Sequence, residues 1–302
     1  MVDILLATYN GEAYVEELVR SIIEQSYTEW RLLIRDDNST DDTLNILKRL
    51  ASEDQRIQMV KDDGVRLGVT ANFLCLLSYA TAPYTMFCDQ DDVWLPHKVE
   101  RMMEAILSCD NSIPQVVYAN SYLWNKERGI IANKNTLTYP STLQQMLFLN
   151  TGIQGASSIF NRAMREQLQR PLASYAMYDH TLLLAGICLG QVHYVHQSLM
   201  YYRQHDNNVT GHAPGSMFKK ILQLWKNRHI PLVSAAHYEG VRAFYEGHKY
   251  HLKMDDQRVL ELYLSLVDYS SLKRVQMVLR GQFQLFDSTA LLILKMLIRR
   301  YI

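Results

Sequence analysis

The stretch Tyr84-Thr85-Met86-Phe87-Cys88-Asp89-Gln90-Asp91-Asp92 runs from apolar residues straight into three carboxylates within four positions. A short apolar run bounded by polar residues reads as a strand covered on both faces, the kind found in parallel sheets. Two upstream stretches repeat the pattern. Asp3 to Ala7 leads into the turn Thr8-Tyr9-Asn10-Gly11, and Trp30 to Ile34 ends in Arg35-Asp36-Asp37. Arg56 to Val60 supplies a further strand. Between them, Tyr14, Leu18, Ser21, Ile22 and Ile23 follow helical spacing, and Asn72 to Tyr79 resumes it. Ser39, Thr40 and Asp41 offer caps for a helix carrying Leu44, Leu47 and Leu50. Strands joined by helices imply an α/β chain with a mostly parallel sheet and right-handed crossovers. Ligands of such sheets sit beyond the carboxyl ends of the strands. Three of those ends carry polar clusters here.

Further along, Val116 to Trp124 reads as a strand and Asn125 to Pro140 as a polar hairpin or loop. Leu143 to Leu149 and Arg162 to Leu168 read as helices around a glycine-rich turn at Gly152 to Gly155. Tyr178 to Gly190 has the composition of a buried helix, and Gln191 to Tyr202 that of a strand. From about Met217 onward the pattern is helical and basic-amphipathic, with no internal repeat.

Composition removes several function classes. At 48% hydrophobic and 21% charged, 302 residues can bury a real core and are not a disordered tail. Lys+Arg 31 against Asp+Glu 31 leaves no net charge, which argues against broad binding of nucleic acid. Cys75, Cys88, Cys109 and Cys188 lie too far apart for a zinc knuckle and are too few for a disulfide framework. They read as small buried hydrophobes in a reducing compartment. Met1-Val2-Asp3 opens without a basic, apolar leader. Leu67 to Cys88 is broken by Gly68, Asn72 and Pro83, and Thr181 to Gly190 is too short to span a bilayer. A cytoplasmic location is expected, so the sequons at Asn38 and Asn208 carry no weight.

Carboxylates packed as in Asp89-Gln90-Asp91-Asp92 repel one another unless a cation sits among them. Oxygen ligands of this kind suit Mg²⁺ or Mn²⁺ shared with substrate phosphates. The other reading is an acidic turn capping a helix at Leu95, with Pro96 near its start. Asp36 to Asp42 likewise combines residues favoured at helix starts, and it lacks the glycine and closing glutamate of an EF-hand. No G-x-G-x-x-G follows the first strand, and P-loop, H-E-x-x-H and G-x-S-x-G motifs are absent. A metal-assisted diphosphate site remains.

Taken in order, Thr8-Tyr9-Asn10-Gly11, Asp36-Asp37-Asn38-Ser39-Thr40-Asp41 and Asp89 to Pro96 resemble family 2 glycosyltransferases of GT-A fold. The resemblance continues through Gly155 to Arg162 and Tyr178-Asp179-His180, and closes at Tyr201 to Val209. It covers about residues 2 to 210. Asp89 to Trp94 and Tyr202 to His205 are similar to the rhamnosyltransferase-like branch that builds bacterial surface polysaccharide. The resemblance implies roles. Thr8 and Tyr9 flank the nucleotide, and Asp37 bonds the base or ribose of the donor. Asp91 binds Mn²⁺ or Mg²⁺, with Asp89 beside it touching metal and donor. Asp179 is the catalytic base of an inverting reaction, its alternative being a helix cap. Arg203 faces the diphosphate, and His205 faces phosphate or metal unless it is structural. Gln154, Gly155 and Ala156 fit a loop near the donor sugar and acceptor, and His180 stands where relatives often carry an aromatic residue.

The expected organisation is a GT-A catalytic domain over residues 1–215, nucleotide side first, with a helical region over 216–302. Met217 to Trp225 and Ser288 to Ile302 mix apolar residues with Lys and Arg. Such helices rest on an anionic membrane, where a lipid-linked saccharide acceptor would lie, or pack on the catalytic domain or a second subunit of a homodimer. The leading expectation is an inverting, metal-dependent transferase using dTDP-L-rhamnose, with a UDP-hexose as the close alternative. It would work in the cytoplasm, peripherally on the inner face of the plasma membrane. A catalytically silent nucleotide-sugar-binding subunit is the reading from another class. A nucleotidyltransferase would need a basic glycine-rich first loop, and Thr8 to Glu12 contains no Lys or Arg.

Overall fold

The computed structural model describes residues 1–60, 64–149, 153–204 and 228–302. Two compact units result, and they do not simply follow one another along the chain. The first holds Met1–Leu137, Ile153–Arg170 and the strand that follows Gly190; the second holds the chain from Thr138, Pro171–Leu189 and the carboxyl-terminal helices. The stretches around residues 138–149 and 171–189, expected within a catalytic domain ending at 215, thus group with the later helices.

The first unit carries every strand among the described residues. In chain order these are β1 (Val2–Thr8), β2 (Trp30–Asp36), β3 (Ile57–Met59), β4 (Tyr84–Asp89), β5 (Val93–Trp94), β6 (Gln115–Asn125), β7 (Gly129–Ala132), β8 (Ser158–Asn161) and β9 (Gln191–Arg203). Its helices are α1 (Val15–Ile23), α2 (Thr43–Glu53), α3 (Val69–Tyr79), α4 (Lys98–Leu107) and, between β8 and β9, Arg162–Leu168. The sheet order is β3-β2-β1-β4-β8-β6-β9-β5, with β7 paired to β6. Strands β1 to β4 pair in parallel. The sheet is mostly parallel, as expected, since β6 and β9 also pair in parallel, but β8 inserts antiparallel between β4 and β6, and β5 runs antiparallel to β9.

Helical spacing explains how the sheet is covered. Val15, Leu18, Val19 and Ile22 line one side of α1 and join Val2, Ile4 and Leu6 of β1 in the main core. Alternate residues of β1 and β4 face the other way, where Phe87 meets Phe73 of α3 at 5.2 Å and Phe160 at 5.1 Å between ring centres. Both faces are therefore dry, which is why these strands read as continuous apolar runs. Asp3 is buried at the amino end of β1, and its carboxylate is fully engaged. It accepts from Arg31 at 2.9 and 3.0 Å and from the amides of Thr81 and Ala82 at 2.6 and 2.8 Å.

The second unit is helical. It contains α5 (Leu143–Met146), α7 (Tyr178–Leu189), α8 (Ala235–His248), α9 (Met254–Ser265), α10 (Ser271–Arg280) and α11 (Thr289–Ile298), α6 being Arg162–Leu168 of the first unit. Helix α7 is buried on nearly all sides, as its composition requires. Phe148 gathers Tyr263, Phe283 and Tyr301 edge-on at 5.4, 5.6 and 6.5 Å. Among the described residues no helix is long and apolar enough to cross a membrane. Of the cysteines, Cys88 and Cys188 are buried as expected, whereas Cys75 and Cys109 are half-exposed. The segment Met217 to Trp225, Gly152 and the sequon at Asn208 lie outside the described residues.

Two buried histidines give this unit a pH dependence. The rings of His180 and His237 meet edge-on, 4.2 Å apart. His237 Nε2 donates to the Leu147 carbonyl at 2.9 Å. Burial lowers the pKa of His237 to about 4, and burial together with His237 lowers that of His180 well below the usual range. Unfolded histidines bind protons that these two refuse, so stability rises with pH between about 4 and 6.5 and falls on acidification. His237 alone accounts for about 2 kcal/mol of loss between pH 7 and pH 5. His237→Phe should flatten the pH dependence of the unfolding midpoint by that amount relative to wild type. An unchanged slope would show that His237 titrates normally.

Candidate functional site

Strands β2, β1 and β4 lie side by side and end level with one another: Thr8 faces Asp36, and Ala7 faces Asp89. One end of the first unit therefore collects all three polar clusters. The turns are cross-linked to each other. Thr8 Oγ1 donates to Asp36 Oδ1 at 2.8 Å, and the Asn10 amide donates to Ser39 Oγ at 2.9 Å. Asn10 Oδ1 accepts from the Thr40 amide at 2.8 Å, and the Gly11 amide donates to Thr43 Oγ1 at 2.8 Å. Asn10 and Asn38 take φ of 48° and 65°, left-handed conformations that asparagine tolerates. Ser39, Thr40 and Asp41 thus stitch the β1 and β2 turns together, while Asp42 occupies the N-cap position of α2, its carboxylate accepting from Asn45 Nδ2 at 2.8 Å rather than from a backbone amide.

Gln90 fixes the third turn to the first. Its Oε1 accepts from the Tyr9 amide at 2.9 Å, and its Nε2 donates to the Tyr9 carbonyl at 3.0 Å. A Cβ at residue 11 would lie 2.6 Å from Gln90 Oε1, so glycine is needed for this staple. The Arg66 guanidinium covers the Tyr9 ring at 3.9 Å.

Asp37 is buried, and its carboxylate is well supplied with donors. The amides of Leu67 and Gly68 donate at 2.6 and 2.8 Å, and Arg35 Nη1 at 2.8 Å. Burial alone would raise its pKa, but these donors outweigh it and hold the carboxyl below the usual range. The charge of Asp37 thus ties the 64–68 loop to β2.

In the acidic turn, Asp89 and Asp91 are half-exposed, whereas Asp92 is wholly buried. Gln154 Nε2 reaches Asp92 Oδ2 at 3.4 Å, and Asp92 Oδ1 has no partner. Burial, then the charges of Asp91 and Asp89, push the Asp92 carboxyl well above the carboxylate range. The helix expected at Leu95 begins instead at Lys98, because Val93–Trp94 pairs with β9. Lys98 is fully buried, with Nζ donating to the Ala156 carbonyl at 2.6 Å and lying 3.6 Å from the centre of the Trp94 ring. Burial lowers its pKa to about 7, against the opposing influence of Cys88, Asp92 and Asp89. Lys98 is thus a cation or a near-neutral amine set beneath the acidic turn.

Arg203 is buried at the end of β9. Its Nε donates to the Asp91 carbonyl at 2.8 Å and its Nη2 to Glu17 at 2.7 Å, with the Trp124 ring 4.5 Å away. These contacts give it the task of holding the Asp91 backbone. Gln154, which the sequence places near the donor sugar, bridges Asp92 and Ser121 Oγ. His205 lies outside the described residues.

Among the described residues no group of three or more His, Cys, Asp or Glu converges on a metal position. Two half-exposed carboxylates, Asp89 and Asp91, backed by a buried one with an unpartnered oxygen, do not make a closed protein cage. They fit a hard cation that draws its remaining oxygens from phosphate and water.

In the second unit, Asp179 lies in the first turn of α7, half-buried, with Oδ1 accepting the His180 amide at 2.7 Å. Desolvation raises its pKa to about 6, winning over the amide bonds that lower it. A carboxyl titrating there is ionised at neutral pH yet more basic than an exposed aspartate, as a general base requires. Neither Gln90, Lys98 nor Glu17 was marked by the sequence. Only the position of Gln90 inside the acidic turn offered a signal.

Residues 3–168, more than half of the chain, match the sequence profile of Glycosyl transferase family 2. TuaG of Bacillus subtilis, named for teichuronic acid biosynthesis, is 30% identical over 179 residues, covering 57% of this chain and 66% of its own length. WfgD of Escherichia coli, a UDP-Glc:α-D-GlcNAc-diphosphoundecaprenol β-1,3-glucosyltransferase, is 27% identical over 57% of this chain and 64% of its own. The alignments thus span just under two thirds of these relatives. The S. aureus TarS 1–349 structure in complex with UDP superposes with a TM-score of 0.57 at 15% identity, covering 90% of this chain and 75% of that one. That likeness shows the GT-A fold expected from the motif order. With profile, relatives, fold and clustered strand ends in agreement, the chain belongs to glycosyl transferase family 2.

Proposed function

We propose that the protein transfers a hexose from a nucleoside diphosphate sugar to a hydroxyl of a lipid-linked saccharide, with inversion, at the inner face of the plasma membrane. One observation carries this reading: three adjacent strand ends deliver Thr8, Tyr9, Asp37, Asp89 and Asp91 to one edge, with Asp89 and Asp91 half-exposed over the buried Asp92. Asp89 and Asp91 would hold Mn²⁺ or Mg²⁺, which when bound offsets charge on the diphosphate leaving group. Gln90 and Arg203 keep the acidic turn in place by the contacts described above. Asp179 takes the acceptor proton as the acceptor oxygen forms its bond to the anomeric carbon and the bond to the diphosphate breaks. Attack opposite the leaving group inverts the centre.

The acceptor class is suggested by the diphosphoundecaprenol in the name of WfgD. For the donor, UDP-glucose stands in that same name, whereas dTDP-L-rhamnose follows from the motif resemblance at Asp89 to Trp94. The test is release of nucleoside diphosphate from a panel holding UDP-glucose, UDP-galactose, UDP-N-acetylglucosamine and dTDP-L-rhamnose, with Mn²⁺, Mg²⁺ or chelator. Metal-dependent release from one donor is expected. Binding of a donor without any release, with or without saccharide acceptors, would identify a catalytically silent subunit instead.

A further inference from the structure

The chain is neutral overall, but its charge is unevenly spread. Residues 271–302 contain six Lys and Arg against one Asp, a net charge of +5, while the preceding residues carry 25 cations against 30 carboxylates. This cationic stretch is the helical pair α10 and α11 with the turn between them. The two helices pack on each other through buried Met277, Val278, Leu292 and Met296. Val275, Leu291, Ile293 and Ile298 are half-buried, whereas Leu272 is 86% exposed, Leu297 64%, Leu279 55% and Leu294 40%, with Phe286 of the turn 48% exposed. Lone exposed leucines are ordinary, but four such residues in two packed helices and a fifth in the turn between them are not scatter. Lys273, Arg280 and Arg300 are exposed around them, and Lys295 Nζ lies 5.5 Å from the Phe286 ring. Two cations are exceptions: Arg274 is turned onto the carbonyls of Leu266 and Tyr269, and Arg299 is half-buried.

We propose that the α10–α11 face docks on the anionic surface of a lipid bilayer. Apolar side chains with cations beside them match the boundary between acyl chains and negative headgroups, where long basic side chains reach back to the phosphates. A second copy of the chain is a poorer occupant, because a two-fold contact would set +5 against +5. Nucleic acid would take the cations and leave the leucines in water. The proposal stands apart from the transferase reading, since vesicle binding needs no turnover.

The test is sedimentation of the full chain with vesicles of phosphatidylethanolamine containing about one quarter phosphatidylglycerol, beside vesicles of phosphatidylcholine alone. Partitioning at least about tenfold stronger onto the anionic vesicles is expected, weakening as salt is raised. Leu272→Ser/Leu279→Ser/Leu297→Ser and Lys273→Glu/Arg280→Glu/Arg300→Glu should each reduce it at least about tenfold while keeping the wild-type unfolding midpoint. Equal partitioning onto both vesicles, or none, would overturn the proposal. So would a wild-type dimer in light scattering that ignores vesicles and that the leucine variant dissociates, which would make this face a subunit contact.

Discussion

Asp179→Asn is expected to fold and to bind nucleotide as the wild type does, while losing about 10²- to 10⁴-fold in kcat. The reasoning starts from the local contacts. Asp179 accepts the His180 amide through Oδ1, and an asparagine oxygen can accept the same bond, so the first turn of α7 keeps it. What the amide cannot do is receive a proton. A group that acts only as the acceptor oxygen attacks contributes to the transition state and little to donor binding, so kcat falls and KM for the donor does not. The raised pKa of about 6 adds a second signature. The wild-type rate should fall as pH drops through about 6, because the protonated carboxyl is inactive. The residual rate of the variant should lack that limb. Steady-state kinetics across pH 5 to 8 would check both, and near-normal turnover in the variant would remove Asp179 from the chemistry.

Asp91→Asn should cost at least about 10²-fold in turnover without lowering stability. Loss of function and stability usually travel together when a buried network breaks, but here their causes separate. The backbone of Asp91 is held by Arg203 through the carbonyl, which the substitution leaves alone. The side chain is half-exposed, and its charge is the first of those adding to the burial that raises the neighbouring Asp92 carboxyl. Removing that charge relieves repulsion, so the unfolding midpoint should stay level or rise. Nucleotide binding should in turn lose its dependence on divalent metal. Full activity at low metal, or a sharp fall in stability, would show Asp91 to be structural.

Much of this site was legible from local pattern, and the reasons for the rest are specific. The strands ending at Thr8, Asp36 and Asp89 announced themselves, because both faces of the sheet are covered and continuous apolar runs result. Arg162–Leu168 and Tyr178–Leu189 likewise followed composition. The elements that escaped depend on distant partners. Val93–Trp94 is a strand only because Met200 and Tyr201 lie beside it, and nothing in its own sequence says so. Ser158–Asn161 is four residues long and gains its place between β4 and β6 from pairing on both edges. Lys98 follows from the same long-range contacts. In sequence it sits at the exposed start of a helix, yet in the fold Ala156 and Trp94 close over it. The chemistry of Arg203 suggests a phosphate contact, but its bonds to the Asp91 carbonyl and to Glu17 depend on distant partners and have no local signal. The grouping of Pro171–Leu189 with the last helices has no local signal either, since domain membership is a property of packing.

The central claim is that Asp89 and Asp91, carried to one edge with Thr8, Tyr9 and Asp37, bind a nucleoside diphosphate together with a divalent cation. Isothermal titration with UDP and with dTDP, in Mn²⁺ and again in chelator, tests it most directly. Saturable binding of one nucleotide, weakened at least about tenfold on removing the metal, is the result predicted from a site that leaves its cation to be completed by phosphate oxygens. Equal affinity in Mn²⁺ and chelator, or no heat from either nucleotide with the metal present, would contradict it.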